Sequence, residues 1–151
     1  MSEPEIEDFE LPSTSGATFR LSEHRGHNVV VYFYPKDATP GCTLEGQEFR
    51  DLHPDFTKAD TLIVGVSRDS LKSHERFKAT HGLPFELLSD PEEKVCGLFK
   101  VMKLKNLYGK QVRGVERSTF VFDKTGKLVK SWRGLKAAGH AAEVLAFVQT
   151  L

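Results

Sequence analysis

The sequence has 151 residues, the size of one ordinary globular domain. Apolar residues make up 39% of the chain and charged residues 28%, a composition that excludes an intrinsically disordered protein. The 21 basic and 21 acidic residues balance, which argues against nucleic acid or an anionic membrane as a partner. No repeat or linker divides the chain, so we expect a single domain over residues 1–151.

The N-terminal segment Met1–Phe9 is acidic and has neither the positive start nor the apolar stretch of a secretory signal. The longest apolar run, around Val29–Tyr34, is too short to span a bilayer. The two cysteines, Cys42 and Cys96, are too few for a disulfide scaffold, and reactive chemistry explains a thiol better. We therefore expect a soluble cytoplasmic protein.

The first half of the chain predicts alternating strands and helices. Asn28–Tyr34 is rich in β-branched and aromatic residues and is followed by a proline, which is typical of a buried central strand. A 3.6-residue apolar period predicts an amphipathic helix over residues 42–56, with Cys42 in its first turn. Thr61–Ser67 is a second buried strand, and Ser70–His81 is a more polar helix. This order requires parallel strands joined by a right-handed crossover.

The second half predicts two more helices and three short strands. Phe85–Leu88 is a strand, and Asp90–Phe99 begins with the cap residue, proline and acids that are typical of a helix start. Ser118–Asp123 and Lys127–Trp132 form a hairpin around a glycine-containing loop. The apolar spacing within Ala141–Val148 predicts the last helix.

This succession of elements predicts an α/β fold, specifically a thioredoxin-like three-layer sandwich with a central mixed β-sheet. In such folds the reactive groups lie beyond the carboxyl end of a central strand, where a helix begins. Cys42 occupies that position. We therefore interpret Cys42 as the reactive nucleophile.

The loop before Cys42 has the composition of a site that stabilises negative charge. Gly41 permits close backbone approach, and the free N–H groups of the first helical turn favour a thiolate. Ionising the sulfur raises its reactive fraction only about thirtyfold, so further hydrogen-bond donors are needed. The candidates are the Thr39 hydroxyl, which can both accept and donate, the amides of Gly41 and Cys42, and Arg117, which directly precedes a predicted strand. Glu45 is either the carboxylate that orients Arg117 or a solvated surface residue.

Two other classes of function remain open. A Cys–His hydrolase needs a histidine within hydrogen-bond reach of Cys42. His53 lies on the same helix about 16 Å away, so only His74 or His140 could serve, through tertiary folding. A redox sensor or binding module would instead use the oxidation of Cys42 as a signal without turnover.

Two other groups of residues have simpler interpretations. His24 and His27 are spaced like weak metal ligands, but no cysteine or carboxylate cluster accompanies them, so we expect surface or loop roles. The basic residues around Tyr108 suggest either an anionic partner or, more simply, a solvated loop. These residues are Lys103, Lys105, Lys110 and Arg113.

The segment Tyr34–Thr43 carries a Pro-x-x-x-Thr-x-x-Cys pattern formed by Pro35, Thr39 and Cys42. This pattern resembles the active-site motif of the peroxiredoxins, and the whole segment is similar to their bacterioferritin-comigratory (Q-type) branch. Three further segments are similar to that branch and occur in its order. They are Asp8–Pro12, Leu87–Pro91 and Arg117–Phe120.

The resemblance implies a thioredoxin-fold thiol peroxidase, an antioxidant enzyme that maintains cell redox homeostasis. Its substrates would be hydrogen peroxide and alkyl hydroperoxides, and the Cys42 thiolate would become a sulfenic acid. Pro35 would shield the thiolate, Thr39 would bind the peroxide, and Arg117 would polarise both. No metal or organic cofactor is implied.

The sequence departs from the common pattern of this branch at the resolving cysteine. Members with a second cysteine five positions after the first have it where this chain has Gln47, and others have it where this chain has Phe77–Lys78. Cys96 falls on the buried stripe of its predicted helix, so we expect a core residue and an unlikely resolver. We therefore predict a one-cysteine mechanism with thioredoxin, glutaredoxin or glutathione as reductant, and a monomer because no long C-terminal extension is present.

Overall fold

The structure is a computed structural model that describes residue 6 and residues 8–151. Most of the acidic N-terminal segment discussed above lies outside the described residues. A short 3-10 helix, Leu21–His24, separates the first two strands from the third. The other elements in chain order are β1 (Glu10–Pro12), β2 (Thr18–Arg20), β3 (Asn28–Phe33), α1 (Pro40–Lys58), β4 (Thr61–Ser67), α2 (Leu71–His81), β5 (Glu86–Ser89), α3 (Lys94–Leu98), β6 (Met102–Leu107), β7 (Lys110–Val115), β8 (Ser118–Phe122), β9 (Leu128–Arg133) and α4 (His140–Val148).

Five strands form the central sheet in the order β5-β4-β3-β8-β9. Strands β3, β4 and β5 run parallel, whereas β8 is antiparallel to β3 and β9 is antiparallel to β8. Every residue of β3 is buried, as its continuous apolar sequence predicted for a central strand. The predicted α/β fold with a central mixed sheet is confirmed.

Alternate residues of each strand point to opposite faces of this sheet and form two separate cores. Tyr32 belongs to the core that includes Cys42 and apolar residues of α1, α2 and α4. Phe33 belongs to the other core, which α3 covers together with the β1–β2 hairpin and which includes Cys96. The two cysteines therefore lie on opposite faces of the sheet.

Helix α1 begins at Pro40, two residues before the predicted start. Proline is favoured in the first turn of a helix because its missing N–H has no partner to lose there. Cys42 becomes the third helical residue and remains in the first turn. Helix α2 begins at Leu71, and the side chain of Ser70 caps it by accepting the N–H of Ser73 at 3.2 Å.

The helix predicted over Asp90–Phe99 is shorter than expected and begins only at Lys94. Pro91 and Glu92 form a turn, and Glu93 has a left-handed φ of 63°. The Asp90 carboxylate still serves the helix start, because Oδ2 accepts the N–H groups of Val95 and Cys96 at 3.0 and 2.7 Å. The cap residue is therefore separated from its helix by a tight turn.

The basic segment around Tyr108 is a β-hairpin, so its interpretation as a loop was wrong. Tyr108 and the four basic side chains around it are exposed, as that interpretation expected. Tyr108 and Gly109 join β6 to β7 with φ values of 52° and 79°. Two consecutive positive φ values match the tight turn that suits the twist of paired strands. The β1–β2 hairpin was not predicted either.

None of the helices in the described part of the chain combines the length and the apolar character that a bilayer span needs. The longest, α1, has 19 residues and is amphipathic.

Candidate active site

Cys42 lies at the N-terminal tip of α1, and its side chain is almost completely buried, with 2% exposed. Thr39 is the N-cap residue but does not cap the helix with its side chain. Its hydroxyl instead donates to the carbonyl of Lys36 at 2.8 Å. The first-turn amides of Gly41 and Cys42 therefore face the loop without competition from a capping side chain.

Arg117 reaches Cys42 because of the pairing between β3 and β8. In this antiparallel register Ser118 lies opposite Phe33, so Arg117 sits beside the carboxyl end of β3, where the loop to Cys42 begins. Arg117 Nη2 donates to Cys42 Sγ at 3.4 Å. A Cβ atom on Gly41 would lie 3.0 Å from that nitrogen, so a glycine at this position leaves space for the guanidinium.

Glu45 is fully buried one turn further along α1, which excludes the solvated alternative for this residue. Its Oε1 accepts from Arg117 Nη1 at 2.6 Å. Burial raises the pKa of Glu45 to about 7, although the neighbouring Arg117 acts to lower it. Within the described residues Oε2 has no hydrogen-bond partner, so this carboxyl is poised to hold a proton near neutral pH.

The guanidinium of Arg117 therefore bridges a sulfur and a carboxyl group. Burial opposes its positive charge, but Glu45 and Cys42 raise the pKa of Arg117 above its ordinary value. A permanently charged, forked donor can bind two acceptors at once. The sequence-predicted residues Cys42, Arg117 and Glu45 thus form one cluster, with Pro35 and Thr39 half-buried in the adjoining loop.

Cys96 is not part of this cluster. It belongs to the core on the opposite face of the sheet and is a free thiol, as is Cys42. Burial, together with the nearby Asp90 carboxylate, raises the pKa of Cys96 far above its usual range. Of the positions where related chains have a resolving cysteine, Phe77 is in the same core as Cys42, and Gln47 lies 3.5 Å from His81.

The histidines considered for a Cys–His hydrolase are bound elsewhere. His140 pairs with Thr119 at 2.8 Å and with Glu143 at 3.0 Å. His74 pairs with Asp37 at 2.7 Å and with the Leu88 carbonyl at 2.9 Å. Neither ring has a nitrogen left to activate Cys42.

Sequence reasoning missed a buried polar network around Asp37, in the loop that precedes Cys42. Ligand-type atoms of Asp37, Asp69 and His74 lie within 4.8 Å of one another, but hydrogen bonds within the protein already occupy them. The signal available in the sequence was an aspartate in a proline-rich turn, three residues after Tyr34. Its other partners are Asp69, which follows β4, and Ser73 and His74 of α2, and no local pattern specifies them.

A buried cysteine held against an arginine at a helix tip, on a thioredoxin-like sheet, defines the class of thiol-dependent oxidoreductases. The chain matches the AhpC/TSA family over residues 3–131. It belongs to that family and is a peroxiredoxin, a thiol peroxidase, as the resemblance of its motifs predicted.

Known proteins resemble this chain over most of its length. Peroxiredoxin Bcp of Xanthomonas campestris pv. campestris is 56% identical over 140 residues, which cover 91% of this chain and 88% of the relative. Peroxiredoxin Bcp of Bacillus subtilis is 51% identical over 138 residues, with coverages of 91% and 88%. A solved structure of the Xanthomonas campestris bacterioferritin comigratory protein superposes with a TM-score of 0.89 at 51% identity, covering 94% of this chain and 90% of that one.

Proposed function

We propose that this peroxiredoxin reduces hydrogen peroxide and organic hydroperoxides through a Cys42 sulfenic acid, and that an external thiol regenerates Cys42 directly. The observation that carries the proposal is the 3.4 Å hydrogen bond from Arg117 to the Cys42 sulfur. A cation at that distance stabilises the thiolate and also the charge that develops on a departing oxygen. The related Xanthomonas protein is described in connection with alkyl peroxide reduction, which supports the same substrate class here.

The first step is a displacement at oxygen. The Cys42 thiolate attacks the terminal oxygen of ROOH, an S–O bond forms and the O–O bond breaks, leaving Cys–SOH and RO⁻, which takes a proton from water to become ROH. The sulfur loses two electrons and the peroxide gains them. Arg117 would lie beside both the attacking sulfur and the peroxide, so its charge would act on the transition state.

Thr39 and Pro35 supply the rest of the proposed binding site. The Thr39 hydroxyl already donates its hydrogen to the Lys36 carbonyl, so toward a substrate it can only accept. It would therefore accept the O–H of the hydroperoxide and orient the terminal oxygen toward the sulfur. Pro35, which has no N–H, would shield the thiolate without offering a competing donor.

Glu45 would act through Arg117 rather than on the substrate. Its bond to Nη1 fixes the plane of the guanidinium, which directs Nη2 at Cys42. We therefore assign it as a positioning residue in the reaction.

The regeneration step follows from the positions of the two thiols. Cys96 lies on the opposite face of the sheet, so an internal disulfide would require large rearrangement. In the proposed route a donor R′SH attacks Cys–SOH to give Cys–S–S–R′ and water, and a second R′SH releases R′–S–S–R′ and the Cys42 thiol. Thioredoxin, glutaredoxin and glutathione are the candidate donors.

The test is a peroxide-consumption assay with each of the three donors, combined with mass spectrometry of the chain after one equivalent of peroxide. We expect many turnovers with at least one donor, and sulfenic acid or a mixed disulfide at Cys42. Consumption that stops after one equivalent with all three would show a redox sensor instead. An intramolecular Cys42–Cys96 disulfide as the main product would overturn the one-cysteine mechanism.

We also propose a cytoplasmic location and a monomeric state. The two free thiols support a reducing compartment. Cell fractionation tests the location, and analytical ultracentrifugation of the reduced protein tests the monomer.

A further inference from the structure

A buried aspartate, Asp37, connects the active-site loop to the rest of the protein through several hydrogen bonds. Asp37 is 6% exposed, and its carboxylate accepts from the Tyr34 hydroxyl at 2.6 Å and from the Ser73 hydroxyl at 2.8 Å. His74 Nδ1 lies 2.7 Å from the same carboxylate. The backbone N–H of Asp37 donates to Asp69 at 2.9 Å. The loop leading to Cys42 is therefore hydrogen-bonded to the segment between β4 and α2 and to the first turn of α2.

The hydrogen-bond partners of His74 hold its ring between two parts of the fold. The ring is completely buried, and Nε2 lies 2.9 Å from the Leu88 carbonyl, which can only accept. Nε2 therefore carries a hydrogen. On the other side of the ring Nδ1 hydrogen-bonds to the Asp37 carboxylate, so His74 joins the loop before Cys42 to β5. Burial acts to raise the pKa of Asp37, but hydrogen bonds from His74 and Tyr34 lower it below its ordinary value.

The backbone of this loop needs such a restraint. Ala38, next to Asp37, has a φ of 63°, a left-handed conformation that is unfavourable for a residue with a Cβ. The following residue, Thr39, turns its hydroxyl back onto Lys36. Strained backbone of this kind persists only where the surrounding structure holds it in place.

We propose that His74 is a positioning residue for this site, because its hydrogen bond to Asp37 holds the loop of residues 36–39 folded against Cys42. The inference rests on the proposed function. The folded loop orients Thr39 for a small hydroperoxide, yet it leaves only 2% of Cys42 exposed, too little for the thiol of a protein donor to reach the sulfur. This hydrogen bond therefore accelerates oxidation of Cys42 and slows regeneration by a protein thiol.

The experiment compares His74→Ala with Lys78→Met in a Cys96→Ser background, where Cys42 is the one remaining thiol. Lys78 is the matched control because it lies on the same helix and pairs with Glu86 of β5 at 2.8 Å, not with the loop. Rapid quenching with a thiol-alkylating reagent measures oxidation of Cys42 by hydrogen peroxide. A second mixing step measures reduction of the sulfenic acid by glutathione and by reduced thioredoxin.

We expect His74→Ala to slow oxidation about 10- to 100-fold, as misplacement of a reacting group does. In the same variant, reduction of the Cys42 sulfenic acid by thioredoxin should become faster relative to its reduction by glutathione. Lys78→Met should change neither rate. Circular dichroism confirms that each variant is folded.

Asp37→Asn keeps the proposal testable if His74→Ala is unfolded. An asparagine amide can donate to Nδ1 of a neutral His74 while Nε2 still donates to Leu88, so the geometry survives and most of the oxidation rate should remain. Asp37→Ala should lose that rate. Where His74→Ala is folded, adding it to Asp37→Ala should cost little more, because the two residues act as one unit.

Equal oxidation rates in His74→Ala and Lys78→Met would overturn the inference, and so would a parallel fall of oxidation and regeneration. A parent protein that fails to form sulfenic acid would instead overturn the proposed function, so the two failures are distinguishable.

Discussion

The two cysteines of this protein are almost equally buried, with 2% and 0% of Cys42 and Cys96 exposed, yet their surroundings are opposite in charge. Cys42 receives a hydrogen bond from a guanidinium at a helix tip. Cys96 packs in an apolar core beside the Asp90 carboxylate, and burial and that charge both raise its pKa. Burial alone therefore does not decide whether a thiol is reactive. The sign of the charge that faces the sulfur does.

The largest expected difference is in turnover. Cys42→Ser should abolish peroxide consumption because a serine hydroxyl stays protonated and cannot attack the O–O bond. Cys96→Ser should leave most of the activity, since this residue lies on the other face of the sheet. Steady-state peroxide consumption with the best thiol donor measures both variants. Comparable losses in the two variants would contradict the contrast between the cysteines.

Removing the cation should make the surroundings of Cys42 more like those of Cys96. Arg117→Met should lower kcat/KM for hydrogen peroxide by about 100- to 1,000-fold, the usual cost of losing a preorganised charge donor. Arg113→Met is the matched control, because Arg113 lies on β7 and forms its ion pair with Glu93, which directly precedes α3. A loss of similar size in the control would show a general effect of positive charge.

Glu45→Gln should lower kcat/KM for hydrogen peroxide by a smaller factor, about tenfold, because the amide oxygen can still accept a hydrogen bond from Arg117. It should also change how stability depends on pH. The folded carboxyl keeps its proton up to about pH 7, whereas the unfolded one loses it near 4.5. The folded state then binds more protons in this window, so stability falls as the pH rises through it, by at most about 3 kcal/mol.

Urea denaturation at pH 5 and pH 8 measures that dependence. The decrease in the free energy of unfolding between the two values should be smaller in Glu45→Gln than in the parent. Glu48→Gln, one turn further along α1 and half-buried, should behave like the parent. An identical decrease in all three proteins would refute the role assigned to the buried carboxyl.

The smallest effect concerns the structural cysteine. Cys96→Ser should lower the free energy of unfolding by about 1–3 kcal/mol, because a hydroxyl replaces a thiol in an apolar core. Cys96→Ala removes the sulfur without adding a hydroxyl and separates the polar effect from the loss of packing. Chemical denaturation of the three proteins at one pH provides the comparison.

Most of the central sheet could be predicted because its strands carry continuous apolar runs. The start of α1 was missed by only two residues, since proline and glycine precede the periodic pattern. The β6–β7 hairpin was missed although apolar and charged residues alternate over Met102–Lys105. Its charges were given more weight than the turn at Tyr108–Gly109, where a positive φ for tyrosine has no clear signature.

The sequence by itself determined that Cys42 sits at a helix tip after a central strand, because proline, glycine and apolar periodicity act over a few neighbouring residues. The tertiary structure decided which side chains meet the sulfur. Arg117 is 75 positions from Cys42 and reaches it through the register of β8 against β3, and the burial of Glu45 depends on the same packing. Contacts of this range arise when separate segments pack together, and the local pattern around any one of them does not specify its partner.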